Sequence, residues 1–236
     1  MLCIGSLLHK NEIPPDCRSF AAFYDHLYVG TNDAQVVMLT PNKVPEHLSL
    51  TNRAGKPVLE LVILGEIGIL AALCGGAVEI IDMQRMVLKS SKFPVKGEVL
   101  GIAVNQERVP DFALCVATSH KIHILRWVND RYELWKSLNI PSAPIGLGWS
   151  RNNICVALQE EVIMVDLALN THKQIHEHVS PSEPKAKIVA LPGSYFVLCL
   201  GNLGVLIGPD GQVSLYPTFG VEFVLLMSVQ SLQEEL

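Results

Sequence analysis

Residues Leu27 to Leu39 read LYVGTNDAQVVML, two β-branched and apolar runs joined by Thr31-Asn32-Asp33. Valine, leucine and tyrosine on both sides of such turn formers spell a β-hairpin. Four further stretches repeat that pattern: Leu70 to Ile81 (LAALCGGAVEII), Leu114 to Leu125 (LCVATSHKIHIL), Ile154 to Val165 (ICVALQEEVIMV) and Phe196 to Ile207 (FVLCLGNLGVLI). Their first residues are separated by 43, 44, 40 and 42 positions. Five hairpins at so steady a spacing are the mark of one unit used repeatedly.

Ahead of each hairpin lies another short apolar run. These are Ser19 to Phe23, Val58 to Leu64, Val99 to Val104, Ile145 to Trp149 and Ile188 to Leu191. A further strand fits after some hairpins, most clearly Tyr132 to Leu138 (YELWKSL) and Gln212 to Tyr216. Three or four strands in a repeat of ~40–45 residues match the blade of a β-propeller. The runs are short and β-branched, with Gly and Pro between them, and no helical period separates them as a doubly wound α/β fold would need. Several strands are apolar on both faces, as in Cys155-Val156-Ala157-Leu158. Strands covered on both sides read this way.

The fold expected is therefore all-β: a β-propeller of about five recognisable blades, part of an incomplete or truncated seven-bladed ring. Residues 1–220 are assigned to it, and 221–236 (VEFVLLMSVQSLQEEL from Val221) to a divergent C-terminal tail that starts no sixth copy.

Composition agrees and removes several function classes. Of 236 residues, 49% are hydrophobic and only 17% charged, below the ~25% of an average soluble domain, and mean hydropathy is +0.32. A disordered chain would show the reverse. With 18 Lys and Arg against 23 Asp and Glu, the net charge is −5 and no basic run occurs, so a nucleic-acid surface has little support. Met1 to Leu8 lacks a basic n-region and is no secretory signal. The longest apolar stretch, Val58 to Leu73, carries Glu60 and Glu66 and falls short of the ~20 residues of a spanning helix. Val221 to Val229 is shorter and holds Glu222.

Six cysteines, Cys3, Cys17, Cys74, Cys115, Cys155 and Cys199, form no C-x-x-C pair. Most sit inside apolar runs and are expected as buried free thiols. With no N-x-[ST] acceptor either, a reducing cytosolic setting fits.

Catalytic constellations are thin: there is no G-x-S-x-G elbow, no Walker loop and no H-E-x-x-H. His172, His176 and His178, with Glu177 and Glu183, fall in a stretch from Asn170 to Lys187. It reads as a solvated inter-blade loop rather than as a metal site with His172 and His176 on one helix face. His120 and His123 point to opposite sides of a strand. Trp127, Trp135 and Trp149 are expected to wedge between blades. Gly146 and Gly148 lie in a strand and make no phosphate loop, Gly208 to Gly211 is a turn, and Glu160-Glu161 sits at a hairpin tip. No catalytic, cofactor-binding or metal-binding residue is assigned, and the partner-binding residues stay unassigned.

Several of these segments resemble the citron homology (CNH) domain. Asp25 to Asp33 (DHLYVGTND) is similar to its first-blade signature, and Pro57-Val58-Leu59-Glu60 with Leu70 to Met83 to its second blade. Lys121 to Trp127, Tyr132 to Lys136, Ile145 to Trp149 and Asn153 to Asp166 resemble the middle of the domain, and Phe196 to Gly211 a late strand pair. Within the family the early blades look most like the vacuolar-sorting tethering subunits of CORVET and HOPS, the TGF-beta receptor-associated proteins among them.

That resemblance implies a non-enzymatic protein-interaction domain acting in vesicle tethering and membrane fusion, with small GTPases of the Rab class and other tethering subunits as partners. It implies a cytoplasmic protein, peripheral on endosomal and lysosomal membranes, without cofactors. Two alternatives stand beside it. One is the regulatory CNH segment of a Ste20-type kinase or Rho exchange factor, the other a propeller enzyme with an axial site. The first strands argue against the latter, since Val62-Ile63, Ile102-Ala103, Ile145-Gly146 and Ile188-Val189 place no titratable group near an axis.

Overall fold

The computed structural model describes residues 13–89, 93–105, 113–177, 186–200 and 203–217. They form five four-stranded antiparallel sheets, each built from four strands consecutive in the chain. The chain divides into two units, residues 1–99 and 100–236.

The first unit holds two blades. Blade 1 comprises β1 (Cys17–Phe23), β2 (His26–Thr31), β3 (Gln35–Leu39) and β4 (Glu46–Ser49), and blade 2 comprises β5 (Val58–Leu64), β6 (Ile69–Cys74), β7 (Ala77–Asp82) and β8 (Val87–Leu88). Strand alternation decides which side chains meet. Tyr28, Val36 and Met38 of blade 1 turn toward blade 2 and close on Leu61, Leu70, Ala72 and Ile81. The opposite face of blade 1 carries Val29, Val37 and Leu39, which are buried too. The Ser19 hydroxyl donates to the carbonyl of Val58 at 2.7 Å, tying β1 to β5.

The second unit holds three blades. Blade 3 is β9 (Gly101–Val104), β10 (Leu114–Ala117), β11 (Lys121–Val128) and β12 (Arg131–Asn139). Blade 4 is β13 (Gly146–Ser150), β14 (Asn153–Ala157), β15 (Glu161–Asp166) and β16 (Thr171–Glu177). Blade 5 is β17 (Lys187–Leu191), β18 (Tyr195–Leu200), β19 (Leu203–Ile207) and β20 (Val213–Pro217).

Blade 4 explains why its sequence is apolar without alternation. Ile154, Val156, Ile163 and Val165 pack against Ala103, Cys115, Ile122 and Ile124 of blade 3. Their neighbours Cys155, Ala157, Val162 and Met164 pack the other way, against Ile188, Phe196, Leu198 and Val205 of blade 5. A fully buried Val, Ile, Leu or Phe side chain among these contributes about 1.5–3 kcal/mol. Gly146 and Gly148 on β13 serve the blade 4 to blade 5 contact. A Cβ on Gly146 would stand 2.5 Å from the Ala186 carbonyl oxygen, and one on Gly148 2.5 Å from Ile188 Cγ2.

All five hairpins expected from the sequence are present, with Leu27 opposite Leu39 in the first and Ile154 opposite Val165 in the fourth. The outer strands extend the reading. Every blade has four strands, including β4, β8 and β16, which carry no apolar run. The stretch from Asn170, read as a loop, is a strand over Thr171–Glu177, paired with β15 through a bulge between Val162 and Ile163. Its inner neighbour supplies backbone partners, so a polar sequence suffices on an outer edge. The expected tail, residues 221–236, lies outside the described residues.

Candidate interaction surface

Turns and outer strands carry many of the exposed side chains. The turn between the second and third strand of blade 1 is held by side chains: Asp33 accepts from Thr31 Oγ1 and, at 2.8 Å, from Gln35 Nε2. After the third strand an aspartate recurs. Asp82 accepts from the backbone N–H groups of Gln84 and Arg85 at 3.1 and 3.0 Å, and Asp166 from those of Ala168 and Leu169 at 2.7 and 3.0 Å. These are Asx turns, in which the carboxylate takes backbone N–H donors two and three residues on.

Blades 3 and 4 are joined at one end by Asn105 and Arg151. Asn105 Nδ2 donates to the Arg151 carbonyl at 2.8 Å, and the Arg151 N–H donates back to Asn105 Oδ1 at 3.1 Å. A parallel bridge between Asn105 and Trp149 accompanies them.

Between blades 4 and 5 lies a cleft of about 230 Å³ lined by Met164, Asp166, Leu169, Lys173, Ile175 and Asp210, among others. Asp166 is engaged in its turn, and Asp210 accepts from the Gln212 N–H at 3.1 Å.

The residues singled out in the sequence are dispersed. His172 and His176 lie on β16, opposite Val165 and Val162, and His172 is exposed; no helix brings them together. His178 and Glu183 lie outside the described residues. His120 precedes β11, whereas His123 lies within it, and its Nδ1 is 2.9 Å from Ser137 Oγ. Burial, with the Lys121 charge adding to it, lowers the His123 pKa. Glu160 is exposed in a turn and Glu161 opens β15. Gly208 to Gly211 is a turn closed by the Gly211 N–H donating to the Gly208 carbonyl at 2.9 Å. Among the described residues no three of His, Cys, Asp and Glu gather as a metal-binding group.

The tryptophans need a correction. Trp149 is buried between blades 3 and 4 as expected, its Nε1 donating to the Arg151 carbonyl at 2.9 Å. Trp127 packs edge to face on Tyr132 of its own blade, ring centroids 4.9 Å apart. Trp135 does not wedge between blades: it is 49% exposed on β12. The bulge on β12 is the cause, because Ile124 pairs with Lys136 and Leu125 with Leu134, leaving Trp135 as the extra residue. A bulge re-aims side chains, and an alternation pattern alone does not reveal it.

The thiols also differ in part from expectation. Cys74, Cys115 and Cys155 are buried, Cys199 is half-buried and Cys17 is exposed, all five as free thiols. Burial raises the pKa of each, aided by Asp16 at Cys17. A thiol raised in this way supplies little thiolate at neutral pH and is a poor nucleophile. Burial, then Asp25 and Glu46, pushes the Tyr28 phenol up to about 12. No helix among the described residues is long and apolar enough to cross a membrane.

Five consecutive four-stranded antiparallel sheets, stacked face to face within each unit, define a β-propeller. Solved propellers share the fold. The WD40 β-propeller domain of Doa1 superposes with a TM-score of 0.62 at 14% identity over 86% of this chain and 68% of that one. The AfRom2 CNH domain does so with a TM-score of 0.61 at 13% identity, over 87% and 73%.

The chain belongs to the CNH domain family, whose model matches residues 20–222. It is similar to the Transforming growth factor-beta receptor-associated protein 1 homolog of Danio rerio, 23% identical over 227 residues. That match takes in 86% of this chain and 26% of the relative, so the chain spans about a quarter of the relative's length.

Proposed function

We propose that this CNH propeller is a non-enzymatic protein-interaction domain of an endosomal or lysosomal vesicle-tethering subunit. It works in intracellular trafficking and membrane fusion, with Rab-class GTPases and other tethering subunits as partners. The observation that carries the reading is where the chain spends its chemistry. Apolar side chains fill both faces of blade 4, the turn carboxylates hold backbone N–H groups, and the described thiols have raised pKa values. What faces outward is suited to contact rather than turnover. Similarity to the receptor-associated protein favours the tethering branch over the kinase and exchange-factor branches of the family.

In this reading the protein is cytoplasmic and reaches endosomal and lysosomal membranes through its partners. Residues 1–220 act as the propeller, followed by a divergent C-terminal tail at 221–236. The test is pull-down of Rab-class GTPases, loaded with a non-hydrolysable GTP analogue or with GDP, on the full chain. Retention of at least one GTPase in its triphosphate form is expected. Retention of none by a chain whose circular dichroism shows a cooperative β-rich melt would overturn the assignment.

A further inference from the structure

The five outer strands of the blades are not alike. Exposed strand edges invite pairing with another chain, and proteins blunt them with short strands, charge, bulges or proline. Strand β4 is four residues long and β8 two. Strand β20 ends on Pro217. On β16 the first four residues, Thr171, His172, Lys173 and Gln174, are all polar and exposed. Strand β12 is nine residues long and contains no proline; it carries Arg131, Glu133, Lys136 and a bulge, and it lies at the end of its sheet, paired only with β11 among the described residues.

The bulge on β12 brings two large apolar side chains outward in succession, Leu134 at 51% and Trp135 at 49% exposure. Trp135 is held rather than loose. The Arg126 guanidinium lies 3.6 Å from its ring centroid, with Lys136 Nζ at 6.0 Å. Lys136 is itself anchored by donating to the Leu167 carbonyl of blade 4. Tryptophan and arginine side by side are the residues that carry binding energy at protein interfaces. Charge supplies the sign of the partner: β11, β12 and their turn hold Lys121, Arg126, Arg131 and Lys136 against Asp130 and Glu133, an excess of positive charge in a chain of net charge −5.

We propose that the outer edge of β12 is a docking site for an extended, acidic segment of a partner protein. The segment adds as a fifth strand to blade 3 and lays an apolar side chain against Leu134 and Trp135. Backbone pairing along the edge supplies affinity, and alternate side chains supply selectivity. The proposal rests on the interaction-domain reading in taking the occupant to be protein. It requires no GTPase, so the two can fail separately.

The test is selection of nonapeptides from a random phage-displayed library on the full chain. Enriched peptides are expected to be net negative and to share an aliphatic or aromatic position. A synthetic copy is expected to lose at least tenfold in affinity for Trp135→Ala, several-fold for Lys121→Glu, and all measurable binding when alternate amides are N-methylated. Because both side chains are exposed, the variants should keep the parent melting temperature, which shows that loss of binding is not loss of fold. Absence of enrichment, peptides without acidic bias, or unchanged affinity for Trp135→Ala would each overturn the proposal. So would sedimentation showing that the chain pairs with itself and that Trp135→Ala makes it monomeric, since the occupant would then be a second copy. A GTPase retained in pull-down beside such a failure would leave the interaction domain standing without this site.

Discussion

Asn105 and Arg151 exchange two hydrogen bonds across the boundary between blades 3 and 4, one in each direction, 46 residues apart in the chain. The link fixes where β9 ends relative to the turn between β13 and β14, and it sets Trp149 beneath it. A side chain that replaces a missing backbone pairing does more than decorate a surface.

Asn105→Ala removes both bonds, leaving the Arg151 N–H to water while the Arg151 carbonyl keeps its bond from Trp149 Nε1. A net loss of about 1–2 kcal/mol is expected. Urea unfolding monitored by tryptophan fluorescence measures it. Asn105→Asp, which keeps the acceptor and loses the donor, should fall between the parent and the alanine variant.

Gly148→Ala places a methyl group 2.5 Å from Ile188 Cγ2. Overpacking of this kind costs about 1–3 kcal/mol. Ile188→Ala alone also destabilises, by opening a cavity in the contact between blades 4 and 5. The double variant should be more stable than the sum of the two losses implies, a coupling that a double-mutant cycle of urea midpoints reads directly.

Thiol labelling should divide the cysteines by position. Cys17 is exposed and should be modified first under native conditions, whereas Cys115 and Cys155 are buried in the cores flanking blade 4. Their modification should await opening of the sheets and run slower by a factor on the order of 10³ or more. Peptide mapping after timed labelling separates them. Rapid labelling of Cys155 would mean that blades 4 and 5 are not packed as described.

Two groups make stability depend on pH in opposite directions. Burial, with Lys121 beside it, holds the His123 pKa below its ordinary 6.5, so the unfolded chain takes up the proton first as pH falls. Its contribution is complete above about 6.5 and is lost as pH drops from there through the folded value. Tyr28 is the mirror case. Its phenol is raised from 10.0 to about 12, first by burial and then by Asp25 and Glu46, and its contribution is lost as pH rises through that interval. Urea midpoints at pH 7.5 and 5.5 should differ less for His123→Gln than for the parent. Those at pH 9 and 11 should differ less for Tyr28→Phe.

The inner architecture was legible because burial on two faces writes itself into residue types. Strands such as Ile69–Cys74 and Asn153–Ala157 are apolar at nearly every position, and turn formers separate them at a regular interval. The outer strands were harder, since one neighbour and solvent place few demands on composition. Strand β8 is two residues long, and β16 reads as a loop until β15 is seen to pair with it. The candidate surface was the least legible part. Trp135 has the residue type of a packing side chain, and only the slip of register opposite Ile124 and Leu125 turns it outward. Its stacking on Arg126 joins positions on adjacent strands, a pairing that shows only once the register is known.

Everything rests on the sheet as the repeated unit, and amide hydrogen exchange followed by mass spectrometry tests that claim most directly. Slow exchange is expected in five windows, each centred on a second and third strand: His26 to Leu39, Ile69 to Asp82, Leu114 to Val128, Asn153 to Asp166 and Tyr195 to Ile207. The outer strands β4, β8 and β20 should exchange faster. Protection concentrated between those windows, or a single continuous protected block, would contradict a chain built from five successive blades.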